Sequence, residues 1–93
     1  MHYRITKMSF DPSKRDALMA YADSVRDDMK AIPGIQSVTI VEVAEGEIMG
    51  VAAYDSQANA EAAAPTVMKI MGGMASFFTA PPDQKDGGVM WSM

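Results

Sequence analysis

Ninety-three residues make one domain (1–93) with no room for a second, and a chain this short buries only about two-thirds of its unfolded surface, so a lone copy is marginal. A formal charge of −4, with eight scattered Lys and Arg, excludes a basic phosphate-binding surface. The absence of cysteine excludes disulfides, thiol nucleophiles and cysteine metal sites. Ten readily oxidised methionines fit a reducing cytoplasm, and no apolar run approaches membrane-spanning length.

Tyr3–Phe10 is rich in aromatic and β-branched residues and predicts a strand ending at Asp11-Pro12. Asp11 suits a helix N-cap and Pro12 the first helical position. Leu18, Tyr21, Ala22, Val25, Met29 and Ile32 then recur at intervals of three and four, the apolar stripe of an amphipathic helix. Lys14, Arg15, Asp23, Arg26, Asp27 and Lys30 form its solvated side, and Pro33-Gly34 ends it. Ile35–Val43 and Glu47–Tyr54 predict a hairpin across Ala44-Glu45-Gly46.

Ser56 is placed to cap a second helix, with Ala60, Ala63, Ala64, Val67, Met68 and Met71 as its stripe. Pro65, inside that pattern, should kink or restart it, and Gly72-Gly73 should end or loosen it. Met74, Phe77 and Phe78, stopped by Pro81-Pro82, then form a separate piece, a candidate lid. Asp83–Gly88 predicts a polar loop, and Val89–Met93 a short terminal strand.

The order βαββαβ, with right-handed crossovers, folds as an α+β ferredoxin-like plait: a four-stranded antiparallel sheet with both helices on one face. The face left bare should be polar if it met water. Yet the third strand is apolar on both parities, with Ile48, Gly50, Ala52 and Tyr54 on one and Met49, Val51 and Ala53 on the other. A bare apolar face of that size marks an interface, and a homodimer packed sheet to sheet is expected.

Ile32-Pro33-Gly34 leading from helix to strand, the hairpin running into Ala53-Tyr54-Asp55-Ser56, and the helix opening Gln57-Ala58-Asn59-Ala60-Glu61-Ala62 resemble the dimeric α+β barrel superfamily, in particular its antibiotic biosynthesis monooxygenase-like group. The likeness covers nearly the whole chain. It implies a homodimer with a pocket between helices and sheet in each subunit. It also implies a place among cofactor-independent oxygenases of polycyclic phenols, haem-degrading proteins, isomerases and members with no assigned reaction. The chain departs from the group where many members carry Trp in place of Tyr54. The haem-degrading members use a histidine on the second helix and an asparagine on the first strand. Here Ala60–Met74 holds no histidine and the strand offers Lys7, Met8 and Ser9, which counts against haem degradation.

Few residues are equipped for chemistry. His2, the sole histidine, sits beside the first residue and is expected to be exposed or frayed, and no metal-ligand spacing or nucleophile elbow accompanies it. Tyr54, ending a central strand, would aim its hydroxyl at the pocket mouth. Arg4 shares parity with Thr6, Met8 and Phe10. If that face looks inward, Arg4 holds an anionic or phenolate oxygen; if outward, it is a surface charge. Met8, Phe10, Tyr21, Met68, Met71, Phe77, Phe78 and Trp91 are the candidate apolar lining. Glu61, early in its helix, needs no role beyond the helix dipole.

The sequence thus reads as a dimeric protein that binds a hydrophobic or aromatic small molecule. It would be a cofactor-independent monooxygenase or isomerase, with Tyr54 and Arg4 as catalytic candidates and neither cofactor, metal, nucleic acid nor membrane as partner. The alternative is a non-enzymatic dimeric ligand-binding or protein-interaction module.

Overall fold

The computed structural model describes residues 1–93. β1 (His2–Ser9) leads into a 3₁₀ turn (Pro12–Lys14), α1 (Arg15–Ser24) and α2 (Arg26–Lys30). Then come β2 (Ile35–Ala44), β3 (Glu47–Tyr54), α3 (Gln57–Ala62), α4 (Ala64–Met74), a second 3₁₀ turn (Ala75–Phe77) and β4 (Asp83–Gly88). The strands form one antiparallel sheet in the order β2-β3-β1-β4, and the helices cover one face of it. This is the expected ferredoxin-like plait.

The local signals act as their chemistry dictates. Asp11 caps the first turn, its carboxylate accepting from the Ser13 backbone N–H at 3.0 Å and the Ser13 hydroxyl at 2.7 Å. Ser56 accepts from the Asn59 N–H at 3.1 Å and caps α3. Gly34 takes φ +79° on the way into β2, and a side chain there would also strike Asn59 and Asp55.

Four expectations are corrected. First, the continuous helix to Ile32 is two helices. The backbone leaves helical geometry at Val25 (φ −105°, ψ 7°), whose N–H is shared between the Tyr21 and Ala22 carbonyls at 3.2 and 3.3 Å.

Second, the last strand is not Val89–Met93 but the polar stretch Asp83–Gly88, which pairs with β1 from Lys7↔Asp83 to His2↔Gly88. The apolar tail beyond it is exposed, Trp91 at 79%. An edge strand needs backbone pairing more than β-forming side chains, and charges along it discourage further pairing.

Third, Pro65 restarts the helix in the first turn of α4 as expected, but the apolar stripe that follows it differs from the one expected at Met68. The buried stripe becomes Val67, Ile70, Met71 and Met74, while Met68 turns outward at 72% exposure.

Fourth, α4 runs through Gly72-Gly73 and ends one residue beyond them, at Met74, but the piece that follows is not a separate one. At Gly73 a Cβ would overlap the Tyr21 hydroxyl, which donates to the Ile70 carbonyl at 2.8 Å; the glycine admits a helix–helix contact. The lid falls with it. Phe78 pairs with Phe10, the Asp11 N–H donates to the Phe77 carbonyl at 3.1 Å, and the Thr79 N–H donates to the Ser9 carbonyl at 2.9 Å. Phe77 also sits against Tyr21, ring centroids 6.4 Å apart.

The core has two centres. Met8, Phe10, Leu18, Ile48 and Met74 pack at one end, and Ile32, Tyr54, Ala60 and Ala63 at the other. The opposite face of the sheet carries Tyr3, Ile5, Val51 and Met49, with Ile5 opposite Val51 in the ladder and 41% exposed.

Candidate functional site

Between the two core centres lies a cavity of about 100 Å³. Met8 and Met74 reach it from one side and Ile32 and Tyr54 from the other, with Val67, Ile70 and Met71 as its helical roof. Its polar groups are Arg4, Thr6, Tyr54 and Gln84, all on strands. Gln84 donates to the Thr6 hydroxyl at 3.2 Å.

The two catalytic candidates meet here. Strand alternation places Arg4 on the helix-covered face, opposite Ala52 and two residues along the ladder from Tyr54. Arg4 is therefore no surface charge; it is 8% exposed. Its Nη1 donates to the Tyr54 hydroxyl at 2.9 Å, and its Nη2 to the Ala60 carbonyl at 2.7 Å. Ala60 is near the end of α3, where carbonyls lack helical partners. The guanidinium carbon is also 5.2 Å from the Tyr54 ring centre.

Every partner of Arg4 is neutral. The ion pairs of the chain join His2–Asp86, Arg15–Asp16, Arg15–Glu42 and Arg26–Asp23. A buried guanidinium without a carboxylate retains an unspent attraction for an anion. The Tyr54 hydroxyl accepts from Arg4 and makes no donation inside the chain, so its own hydrogen is available to a ligand oxygen in the cavity.

His2 is also inside rather than frayed. β1 begins at His2, and pairing on both sides buries it; its Nε2 lies 3.1 Å from Asp86 Oδ2. Asp86 stands opposite Arg4 across the β1–β4 ladder yet bonds to His2 instead.

The expected apolar lining divides. Met8 and Met71 line the cavity. Phe10, Tyr21, Phe77 and Phe78 pack with Leu18 and Ile48 in the core centre of Met8, outside the cavity lining, while Met68 and Trp91 are exposed. The sequence reading missed Ile70, Met74 and Gln84 as lining, along with Ile35, Val38 and Ile40 of β2. Alternation along β2 could have found the last pair.

Outside the cavity, a groove of about 460 Å³ runs between α1–α2 and β2. Met29, Ile35, Val38 and Ile40 line both spaces and form the partition between them.

No protein-family model matches the sequence, nor does any curated protein. Solved structures do match. A monooxygenase from the ActVA-Orf6 gene of Streptomyces coelicolor, in complex with the ligand nanaomycin D, superposes with a TM-score of 0.81 at 17% identity, over 99% of this chain and 89% of that one. A Nitrosomonas europaea protein provisionally named an antibiotic biosynthesis monooxygenase gives 0.80 at 17% identity, over 98% and 100%. Rv0793 from Mycobacterium tuberculosis gives 0.77 at 18% identity, over 98% and 96%. The fold is that of the antibiotic biosynthesis monooxygenase-like proteins.

Within this fold the Arg4–Tyr54 pair lies buried between the sheet and α3, Tyr54 two residues before the helix-capping Ser56. No helix is long and apolar enough to cross a membrane.

Proposed function

We propose that the protein binds a lipophilic phenol in this cavity, with the phenolate oxygen on Tyr54 and Arg4, and oxidises it with molecular oxygen. The observation that carries this reading is the buried Arg4, held by Tyr54 and Ala60 and in no ion pair of the chain. A monooxygenase of this fold with a bound ligand supports it.

The protein's part is to stabilise the ring anion and exclude water. Oxygen attacks the activated ring carbon para to the phenolate. One oxygen atom becomes the new quinone carbonyl. The other leaves as water with the ring hydrogen and one solvent proton. In this reading the protein acts as a homodimer, joined through the face bearing Ile5 and Val51, in the cytoplasm.

Oxygen uptake and quinone formation from 1-naphthol in air, without added cofactor, test the reading. Loss of one donor to the oxyanion should cost about a hundredfold in turnover, so Tyr54→Phe should fall by that order. Unchanged activity would remove Tyr54 from the mechanism. A second reading, binding without turnover, draws on a different observation: the cavity is small, methionine-rich and has no carboxylate or histidine in its wall. Tight binding of 1-naphthol with no quinone formed would select it.

A further inference from the structure

The cavity at Arg4 and Tyr54, about 100 Å³, is smaller than the cavity of about 150 Å³ that holds benzene, so it takes at most one aromatic ring. Any larger ligand must extend past the partition of Met29, Ile35, Val38 and Ile40 into the groove beside β2. Met29 is half-buried, unbranched and adaptable, suited to let a flat molecule through.

The groove beyond is not apolar throughout. Asp23, Arg26 and Lys30 line it from the helices, at spacings of three and four that put them on one face. Arg26 Nη2 is 2.6 Å from Asp23 Oδ1, so those two charges offset one another. Lys30 enters none of the chain's ion pairs. Among the residues that line the groove this leaves one positive charge, Lys30, while Asp27 and Asp28 of the same helix lie outside the lining.

We infer that the ligand is amphiphilic and anionic: one phenolic ring in the cavity, an aromatic or aliphatic body across the partition, and a carboxylate or similar anion at Lys30. This rests on the proposed reading of the cavity and adds to it the class of molecule that the site selects. Lys30 and Arg26 are binding residues here, outside the machinery at Arg4 and Tyr54.

Two dyes with one skeleton make the test: 8-anilinonaphthalene-1-sulfonate and its uncharged analogue N-phenyl-1-naphthylamine, titrated by fluorescence against the full chain. The sulfonate should bind more tightly, and its advantage should shrink as salt rises. Lys30→Glu should weaken the sulfonate about fivefold, in keeping with an exposed ion pair, and leave the neutral dye unchanged. Asp23→Asn, which releases Arg26, should strengthen it. Lys30 is exposed and unpaired, so its substitution leaves the fold intact. If both dyes bind alike, or if Lys30→Glu moves both or neither, the anion site is overturned while the aromatic cavity stands. If neither dye binds, the cavity reading falls together with this one.

Discussion

Arg4 and Tyr54 face each other diagonally across the β1–β3 ladder, guanidinium to hydroxyl at 2.9 Å, with the Ala60 carbonyl at 2.7 Å on the other side of the cation. Both acceptors are neutral, so the two residues differ in what their loss exposes. Tyr54→Phe keeps the buried charge and removes an acceptor, and an unsatisfied buried donor costs about 1–3 kcal/mol. Arg4→Met removes the charge itself. The relief of an uncompensated buried ion then offsets the lost hydrogen bonds, leaving stability within about 1 kcal/mol of the parent. Urea unfolding of the two variants should thus rank Tyr54→Phe as the less stable. The opposite ranking would mean that Arg4 is there to hold the fold rather than to wait for an anion.

The adjacent glycines of α4 should respond to alanine with opposite signs. Nothing lies near the position of a Cβ at Gly72, whereas one at Gly73 runs into the Tyr21 hydroxyl. Gly72→Ala should stabilise by about 0.5–1 kcal/mol through helix propensity and a less flexible unfolded chain. Gly73→Ala should destabilise by about 1–3 kcal/mol through overpacking and displacement of Tyr21 from the Ile70 carbonyl. Thermal melts of the two single variants decide it; equal shifts would show that the Tyr21 contact does not constrain α4.

Those glycines also show where the sequence was legible and where it was not. Features set by neighbours in the chain could be read directly: the caps at Asp11 and Ser56, the stop at Pro33-Gly34, the hairpin into Tyr54, and hence the order of the plait. Features set by distant contacts could not. A Gly-Gly pair reads as a helix end, and α4 does stop one residue on, but that Gly73 makes room for Tyr21 is invisible in the sequence. DQKDGG has poor strand propensity and becomes a strand only because β1 offers it an edge. His2 looked frayed until β3 and β4 flanked it. At the site, parity grouped Arg4 with Thr6, Met8 and Phe10, and Tyr54 with Ile48, Gly50 and Ala52, but only the ladder register puts the two sets on one face. Which face the helices cover, and that Arg4 has no carboxylate partner, are tertiary facts.

The Asp11 cap predicts a pH dependence at the acid end. Its carboxylate accepts two hydrogen bonds from Ser13, side chain first and backbone second, with a smaller contribution from the Lys14 charge, and these hold its pKa below the ordinary 3.8. A depressed carboxylate pKa contributes stability that is present above the unfolded value and lost as pH falls through the folded one. The contribution is therefore complete at neutral pH and disappears below about pH 4. Asp11→Asn keeps an oxygen acceptor for the cap but cannot titrate. The difference in urea midpoint between parent and variant should narrow as pH is lowered through that window. A difference that stays constant from neutral pH to pH 3 would show that the cap is insensitive to the charge.

The uncovered face of the sheet yields the last expectation. Ile5 and Val51 are opposed in the ladder, flanked by Tyr3 and Met49, and no helix of the same chain covers them. Left in water this would be an exposed apolar patch on a chain too short to tolerate much waste of core. Joined to a second copy, it becomes a buried interior. Light scattering at micromolar concentration should then give the mass of two 10.0 kDa chains. Val51→Lys would place an ammonium opposite Ile5 at the centre of that interface, beside Lys7 and Lys85 on the same face. Burying an unpaired charge costs several kcal/mol per subunit. The variant should run as a monomer and melt at lower temperature, because the monomer alone has little core to spare. A parent protein that is already monomeric at micromolar concentration would overturn the sheet-to-sheet dimer, and would leave the exposed apolar face without a partner of its own kind.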